Sequence, residues 1–174
     1  MIDLDYRKLL LSAAFHAMTC DGELHQDELD SILSLSEKSK IFAELDLNSE
    51  LKRLSDELQQ STRESFRKFF TEVQSAKLEL SDQIQVVEVV IRVVCADGTI
   101  DENEIMYLNK IISILGILPE LLEQRFGSIR NLLGLSEQQT YNTSVQVKEF
   151  EAPQIENFEH ITFKEFNSDE SDSV

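Results

Sequence analysis

The chain has 174 residues, 41% of them hydrophobic, and its 33 acidic against 16 basic residues give a formal net charge of −17. This length is typical of one domain with a short appendage and is enough to bury a hydrophobic core. So acidic a surface repels nucleic-acid phosphates and anionic membranes, which argues against binding to either and favours cations or a basic protein partner.

The N-terminal stretch and the two cysteines favour a cytoplasmic protein. The opening "MIDLDYRKLLLSAAF" carries two aspartates before its apolar run, which is not the pattern of a secretory signal. The longest apolar run, "IQVVEVVIRVVCA", contains Glu88 and Arg92 and is too short to span a bilayer. Cys20 and Cys95 are interpreted as reduced thiols rather than as a disulfide framework. We therefore expect a cytoplasmic location and no insertion into a membrane.

The spacing of apolar residues is helical through most of the chain, and glycine (5) and proline (2) are scarce. These features predict an all-α fold, a compact bundle of about seven helices. The fifth predicted helix, within "QIQVVEVVIRVVCA", is apolar around most of its circumference and is expected to be central. In chain order the predicted helices are one ending near Asp21, one over residues 26–39, one over 48–60, one opening after Ser61, one starting at Ser81, one from Asp101 to near Gly116, and one from Pro119 to Gly127, with a brief eighth over 136–139.

Two four-residue motifs predict where helices begin. "STRE" starts at Ser61 and "DENE" starts at Asp101, and each has the spacing of a capping box. In such a box the first side chain accepts a backbone N–H bond from the fourth residue. Ser61 and Asp101 are therefore the predicted N-caps of their helices.

The chain contains two closely similar segments, "TCDGELHQDEL" over residues 19–29 and "CADGTIDENEI" over residues 95–105. A shift of 76 residues superposes Asp21 on Asp97 and Glu28 on Glu104. Each segment follows one predicted helix and opens the next. We therefore predict a helix–Asp-Gly–helix hairpin that occurs twice, as an internal pseudo-repeat of the bundle.

The acidic residues of these turns form a candidate metal site. Against the calcium-loop pattern, each turn keeps the fifth, sixth and twelfth positions but lacks the ligands at the first and third, which excludes an ordinary EF-hand. If the two turns meet, their carboxylates can share one divalent cation such as Ca²⁺ or Mg²⁺, completed by backbone carbonyls and water. The predicted ligands are Asp21, Glu28, Asp97 and Glu104, with Asp101 beside them.

The same residues also have an interpretation without metal. Gly22 and Gly98 are natural helix terminators, and the aspartate before each can accept a backbone N–H bond across its turn. Glu104 can be the reciprocal partner of an Asp101 cap. A carboxylate in the last turn of a helix is unfavourable by roughly 0.3–1 kcal/mol because of the helix dipole. A bound cation would reverse this effect, and a single hydrogen bond is also enough to offset it. Both interpretations remain open at the level of sequence.

The C-terminal part of the chain has a different character. Residues 1–135 are predicted to form the helical domain, and residues 136–174 an acidic tail that is either flexible or bound to a partner. From Val145 onwards helical periodicity is absent, and eight acidic residues stand against two basic ones. Such a composition is typical of segments that order only on binding.

Two segments of this tail share a pattern that indicates a protein partner. "VQVKEF" (145–150) and "ITFKEF" (161–166) both alternate apolar residues and end in Lys-Glu-Phe. Alternation of this kind suits a strand added to the sheet edge of a partner, and the alternative is a tail that folds back on its own bundle. The predicted partner-binding residues are Val145, Val147, Phe150, Phe158, Ile161, Phe163 and Phe166.

The duplicated motif carries a family resemblance. "AMTCDGELHQDEL" and "VVCADGTIDENEI", in an acidic helical domain, resemble the TerB-like domain family, which includes tellurite-resistance proteins and a domain of a membrane-bound DnaJ-like co-chaperone. The resemblance covers residues 1–134. It implies a bundle of about seven helices with an internal repeat, a metal bound by acidic residues, here Asp21, Glu28, Asp97 and Glu104, and a non-enzymatic role in stress, metal-resistance or phage-defence systems.

These features combine into one functional hypothesis and one rival. The chain is interpreted as a non-enzymatic TerB-like module that binds a divalent cation through its paired acidic turns and a protein partner through its tail. The rival is a purely structural adaptor subunit of a larger assembly, without any metal. An enzyme is not expected, because the chain has neither a nucleophile elbow nor a glycine-rich phosphate loop.

Overall fold

The structure is a computed structural model that describes residues 4–23, 26–96, 98–134 and 149–155. Within these residues it is all-α, a helical bundle without a β-strand, which confirms the predicted fold class. The α-helices are α1 (Leu4–Met18), α2 (Gln26–Lys38), α3 (Leu47–Gln60), α4 (Thr62–Ser75), α5 (Leu80–Val94), α6 (Glu102–Leu115) and α7 (Pro119–Phe126), with short 3-10 turns at Lys40–Phe42 and Asn131–Leu133.

Helix α1 lies at the centre of the bundle and packs against α2, α3, α4, α5 and α6. Every side chain from residue 9 to residue 20 is buried, so the helix is enclosed on all sides rather than along one apolar stripe. Helix α5, predicted to be central, packs against α1 and buries six valines. These two helices therefore form the core around which the other helices are arranged.

The polar residues of α1 are buried because they bond to nearby groups. His16 Nδ1 donates to the carbonyl oxygen of Ser12 at 2.8 Å, since a carbonyl can only accept. The other ring nitrogen, Nε2, then accepts from the Ser65 hydroxyl of α4 at 3.0 Å. Thr19 Oγ1 donates to the carbonyl oxygen of Phe15 at 3.1 Å. Burial of residues 9–20 thus leaves the polar side chains of His16 and Thr19 paired.

The predicted helix boundaries agree with the caps in the structure. Ser61 Oγ accepts from the backbone N–H of Glu64, and Asp101 forms a complete capping box with Glu104. Helix α6 ends at Gly116, which has a positive φ of 67°, and Pro119 is the first residue of α7. The short helix predicted over residues 136–139 lies outside the described residues.

We tested the described helices for the length and composition of a membrane span. No single one of them is long and apolar enough to cross a bilayer. The pair α6 and α7, bent by 113° relative to each other, meets the criteria only when the two are taken together.

Candidate functional site

The first Asp-Gly turn directly follows α1. The backbone N–H of Gly22 donates to the carbonyl of Thr19, and Gly22 has a φ of 88°. Asp21 Oδ1 accepts from the backbone N–H of Glu23 at 2.8 Å, which is the Asx-turn expected of an aspartate at this position. Leu24 and His25, which complete the turn, lie outside the described residues. Asp21 therefore has a structural role in its turn.

The second turn, between α5 and α6, is built in the same way as far as it is described. Gly98 donates its backbone N–H to the carbonyl of Cys95 and has a φ of 80°. Asp97, the counterpart of Asp21, lies outside the described residues. At the start of α6, Asp101 Oδ1 accepts from the backbone of Glu104, and Glu104 Oε2 accepts from the backbone of Asp101, both at 2.8 Å. The predicted reciprocal cap is therefore confirmed.

The charges of carboxylates from both turns act on one buried thiol. The Cys20 side chain is 1% exposed, and burial raises the pKa of its thiol well above the ordinary value. The negative charges of Glu104, Asp21, Asp101 and Glu28 raise that pKa further, in that order of size. Because such effects fall off with distance, all four carboxylates lie near the same atom. We call Asp21, Glu28, Asp101 and Glu104 the acidic corner.

Two members of the acidic corner are themselves buried. Glu28, in the first turn of α2, is 4% exposed, and Glu104, in the first turn of α6, is 8% exposed. A buried glutamate is unusual in a soluble domain and requires compensating bonds or a cation. The N-terminal turn of a helix supplies part of this compensation, because the helix dipole favours negative charge there.

No group of three or more histidine, cysteine, aspartate or glutamate side chains is arranged to hold a metal within the described residues. Asp97 lies outside the described residues, so the structure describes four of the five predicted ligands. The structure brings Asp21, Glu28, Asp101 and Glu104 to one end of the bundle. The metal ligand role of these residues stays a prediction.

The C-terminal segment of residues 149–155, which we call the strap, packs against the bundle. The Phe150 ring lies 5.2 Å from the Phe66 ring, 5.7 Å from the Phe70 ring and 5.6 Å from the Tyr107 ring, measured between centroids. We call Phe66 and Phe70 of α4 and Tyr107 of α6 the aromatic face. Phe150 thus folds back on its own bundle, the alternative that the sequence left open for the tail.

The other end of the strap reaches the first Asp-Gly turn. A Cβ atom placed on Gly22 would lie 3.2 Å from the carbonyl oxygen of Gln154 and 3.3 Å from the Cβ atom of Pro153. The strap therefore runs from the aromatic face to the acidic corner. The six other predicted anchors lie outside the described residues: Val145, Val147, Phe158, Ile161, Phe163 and Phe166.

Comparison with known families identifies the helical part of the chain. The family described as "Tellurite resistance protein TerB" matches residues 7–125, which is more than half of the chain and spans helices α1 to α7. The chain belongs to the TerB family. Searches of the curated proteins and of the solved structures found no significant match. The match supports a module of the tellurite-resistance type.

Sequence reasoning left folding back of the tail open as an alternative, but it did not predict where on the TerB helices the strap would lie. The family match ends at residue 125, so it does not include the strap. The available signal was a surplus of aromatic residues, since "FRKFF" of α4 places Phe66, Phe69 and Phe70 within five positions. The three rings lie on one face of α4, and the ring of Phe70, at the edge of that face, is only partly buried and is contacted by Phe150.

Proposed function

We propose that this TerB protein is a cytoplasmic, non-enzymatic module that binds a divalent cation at the acidic corner and a protein partner through its C-terminal tail. The observation that supports the cation part is that carboxylates of both turns, Asp21, Glu28, Asp101 and Glu104, act electrostatically on the same buried thiol, that of Cys20. So much negative charge in one place attracts a cation.

The chemistry of the donors fits a hard cation. Carboxylate oxygens are the preferred ligands of Ca²⁺ and Mg²⁺. The capping box and the Asx-turn use one oxygen of each of Asp21, Asp101 and Glu104, whereas an ionised carboxylate has two oxygens and about four acceptor positions. Helix capping and cation binding are therefore compatible in the same residues. Asp97 would complete the set from the second turn.

Titration with Ca²⁺ and with Mg²⁺ tests the cation site. At a free concentration of 100 times Kd, the bound cation is expected to stabilise the fold by about 2.7 kcal/mol, seen as a rise in melting temperature, with heat released or absorbed in calorimetry. The variants Asp21→Asn and Asp97→Asn keep an Asx-turn acceptor but lose charge, so their affinity is expected to fall at least about tenfold.

The matched control for this titration is Asp56→Asn. Asp56 is exposed on α3 and pairs with Lys52, and it is not among the groups that act on the Cys20 thiol. This variant removes the same charge but should titrate like the wild type. Absence of heat together with an unchanged melting temperature, for both cations, would reject the cation site.

The tail proposal is tested by comparing the whole chain with one truncated after Leu135 in a pull-down. Partner recovery is expected to fall at least about tenfold on truncation, because disordered tails bind through apolar anchors. The anchors that remain beyond the strap, Phe158, Ile161, Phe163 and Phe166, are the side chains to substitute next. Equal recovery by the two chains would reject the tail as the binding element.

A structural adaptor without metal is the second candidate. It is favoured by one observation: Asp21, Asp101 and Glu104 all accept backbone N–H bonds in their turns, so these residues have a purpose without any cation. This candidate predicts that Asp21→Asn leaves both stability and cation response unchanged. The titration above therefore distinguishes the two candidates.

A further inference from the structure

The strap is held by apolar packing alone. Phe150, Ala152 and Ile155 pack against the core of the bundle. Among the described residues, none of the hydrogen bonds or ion pairs involves a residue between 149 and 155. A surface segment without hydrogen bonds or ion pairs to the rest of the fold is among the parts that open most readily.

Among the described residues, a cleft lies beside the strap. Its volume is about 700 Å³, and it lies next to Phe150, between the strap, α6 and the turn that leads to α7. Apolar side chains of this cleft include Met106, Ile117 and Leu118, and Leu118 is 63% exposed. An exposed leucine beside an apolar cleft is typical of a surface that accepts a further segment.

A basic residue of the bundle and an acidic residue of the strap line the same cleft. Lys110 of α6 lies in the lining of the cleft together with Glu149, and Glu151 lies on the other side of Phe150 in sequence. The strap therefore places Phe150, which lies between two glutamates in sequence, against the aromatic face, and Lys110 lies in the adjoining cleft. Opposite charges around an apolar anchor select orientation and partner.

We propose that the aromatic face and its cleft form a docking groove for an extended segment of a partner protein with a phenylalanine between two glutamates. Residues 149–155 are its intramolecular ligand, which such a segment displaces. This inference goes beyond the proposed function, because the receptor here is the bundle and not the tail. The inference also does not depend on whether the acidic corner binds a cation.

The contact at Gly22 adds a consequence for the acidic corner. Pro153 and Gln154 lie against the first Asp-Gly turn, so displacement of the strap uncovers that turn as well. A partner that occupies the groove therefore changes the surroundings of Asp21 without touching it. The covalent tether keeps the strap at a high local concentration, which an external segment must overcome.

A fluorescent peptide with the sequence of residues 148–156, "KEFEAPQIE", tests the groove by anisotropy on the full chain. The Phe150→Ala chain has a weakened intramolecular ligand, so it is expected to bind the peptide at least about tenfold more tightly than the wild type does. Lys110→Glu or Leu118→Glu in the Phe150→Ala chain should weaken binding about tenfold. A peptide with alanine in place of its phenylalanine should not bind.

A second pair of variants keeps the test independent of Phe150. Gly22→Ala and Gly98→Ala both place a side chain at positive φ, but only the first crowds the strap, since no described atom lies within 4 Å of a Cβ on Gly98. Cleavage of the strap by a glutamate-specific protease, after Glu149 or Glu151, is expected to be at least about fivefold faster in Gly22→Ala than in the wild type and to be unchanged in Gly98→Ala. Peptide added to the wild type should accelerate the same cleavage.

Three results would overturn the inference. The first is equal peptide affinity of the wild-type and Phe150→Ala chains when circular dichroism shows both to be folded. The second is an equal rate of strap cleavage in Gly22→Ala and Gly98→Ala. The third is a concentration-dependent dimer, lost in Phe150→Ala, because the occupant would then be a second copy of this chain. A failed cation titration would leave the docking groove unaffected.

Discussion

Acidification from pH 7 to pH 4 is expected to lower the free energy of unfolding by about 3 kcal/mol through His16 alone. The ring is 2% exposed and stacks on the Phe69 ring at a centroid distance of 4.7 Å. Burial is the largest effect and lowers the pKa of His16 to about 4. The hydrogen bonds to Ser12 and Ser65 and the charge of Glu57 raise the pKa by less, and the charge of Arg53 lowers it slightly.

The direction of this pH dependence follows from which state binds the proton. The unfolded chain protonates His16 near pH 6.5, whereas the folded chain does so only near pH 4. Between these values the unfolded state binds more protons, so the free energy of unfolding falls as the pH falls. The stabilisation is complete above pH 6.5 and has disappeared below pH 4.

Urea unfolding of the wild type and of His16→Phe at pH 7.0, 5.5 and 4.5 measures the effect. Phenylalanine retains the ring that stacks on Phe69 but cannot titrate, so the wild type should lose about 2.4 kcal/mol of stability relative to His16→Phe between pH 7.0 and pH 4.5. Titration of the carboxylates is common to both chains and cancels in the difference. A difference that is constant with pH would contradict the prediction.

Substitution Arg7→Met is expected to destabilise the fold by about 3 kcal/mol. The Arg7 side chain is 8% exposed, and its Nη1 atom donates to the carbonyl oxygens of Lys40 at 3.0 Å and Ala43 at 2.6 Å. These bonds attach the connection between α2 and α3 to the central helix. Methionine fills similar volume but leaves two carbonyls in a partly buried site without their charged donor, which costs free energy of folding.

Two further variants make this measurement specific. Arg7→Lys keeps the charge but has no planar fork, so it should recover only part of the loss. Arg67→Met removes an arginine of α4 that pairs with Glu64 at the surface, with 71% of its side chain exposed, and should change stability little. Similar losses for Arg7→Met and Arg67→Met in urea unfolding would show that burial of the guanidinium does not matter.

The helices were predictable from the sequence because their signals are local. Ser61 and Asp101 were identified as caps from residues three positions away, and the structure shows both bonds. Burial of α1 was predictable only in part. The apolar spacing indicates one buried stripe, whereas His16 and Thr19 are enclosed because of hydrogen-bond partners that the spacing does not reveal, one of them 49 residues away.

In the candidate site, too, the local features were predictable from the sequence and the long-range contacts were not. The acidic residues of the two turns were found from the repeat, and so was the Asp101–Glu104 cap. That Glu28 and Glu104 are buried, and that both act on the Cys20 thiol, depends on how α2 and α6 pack against α1. The tail was predicted to bind a partner, yet Phe150 contacts rings of α4 and α6 in its own chain.

The sequence by itself determined the helices, their caps and the two acidic turns, because these rest on contacts between residues at most a few positions apart. Only the tertiary structure decided which carboxylates share one end of the bundle and where the strap lies. Those contacts join residues far apart in the chain, as when Phe150 meets Phe66, and they depend on the shape that the packed helices leave between them.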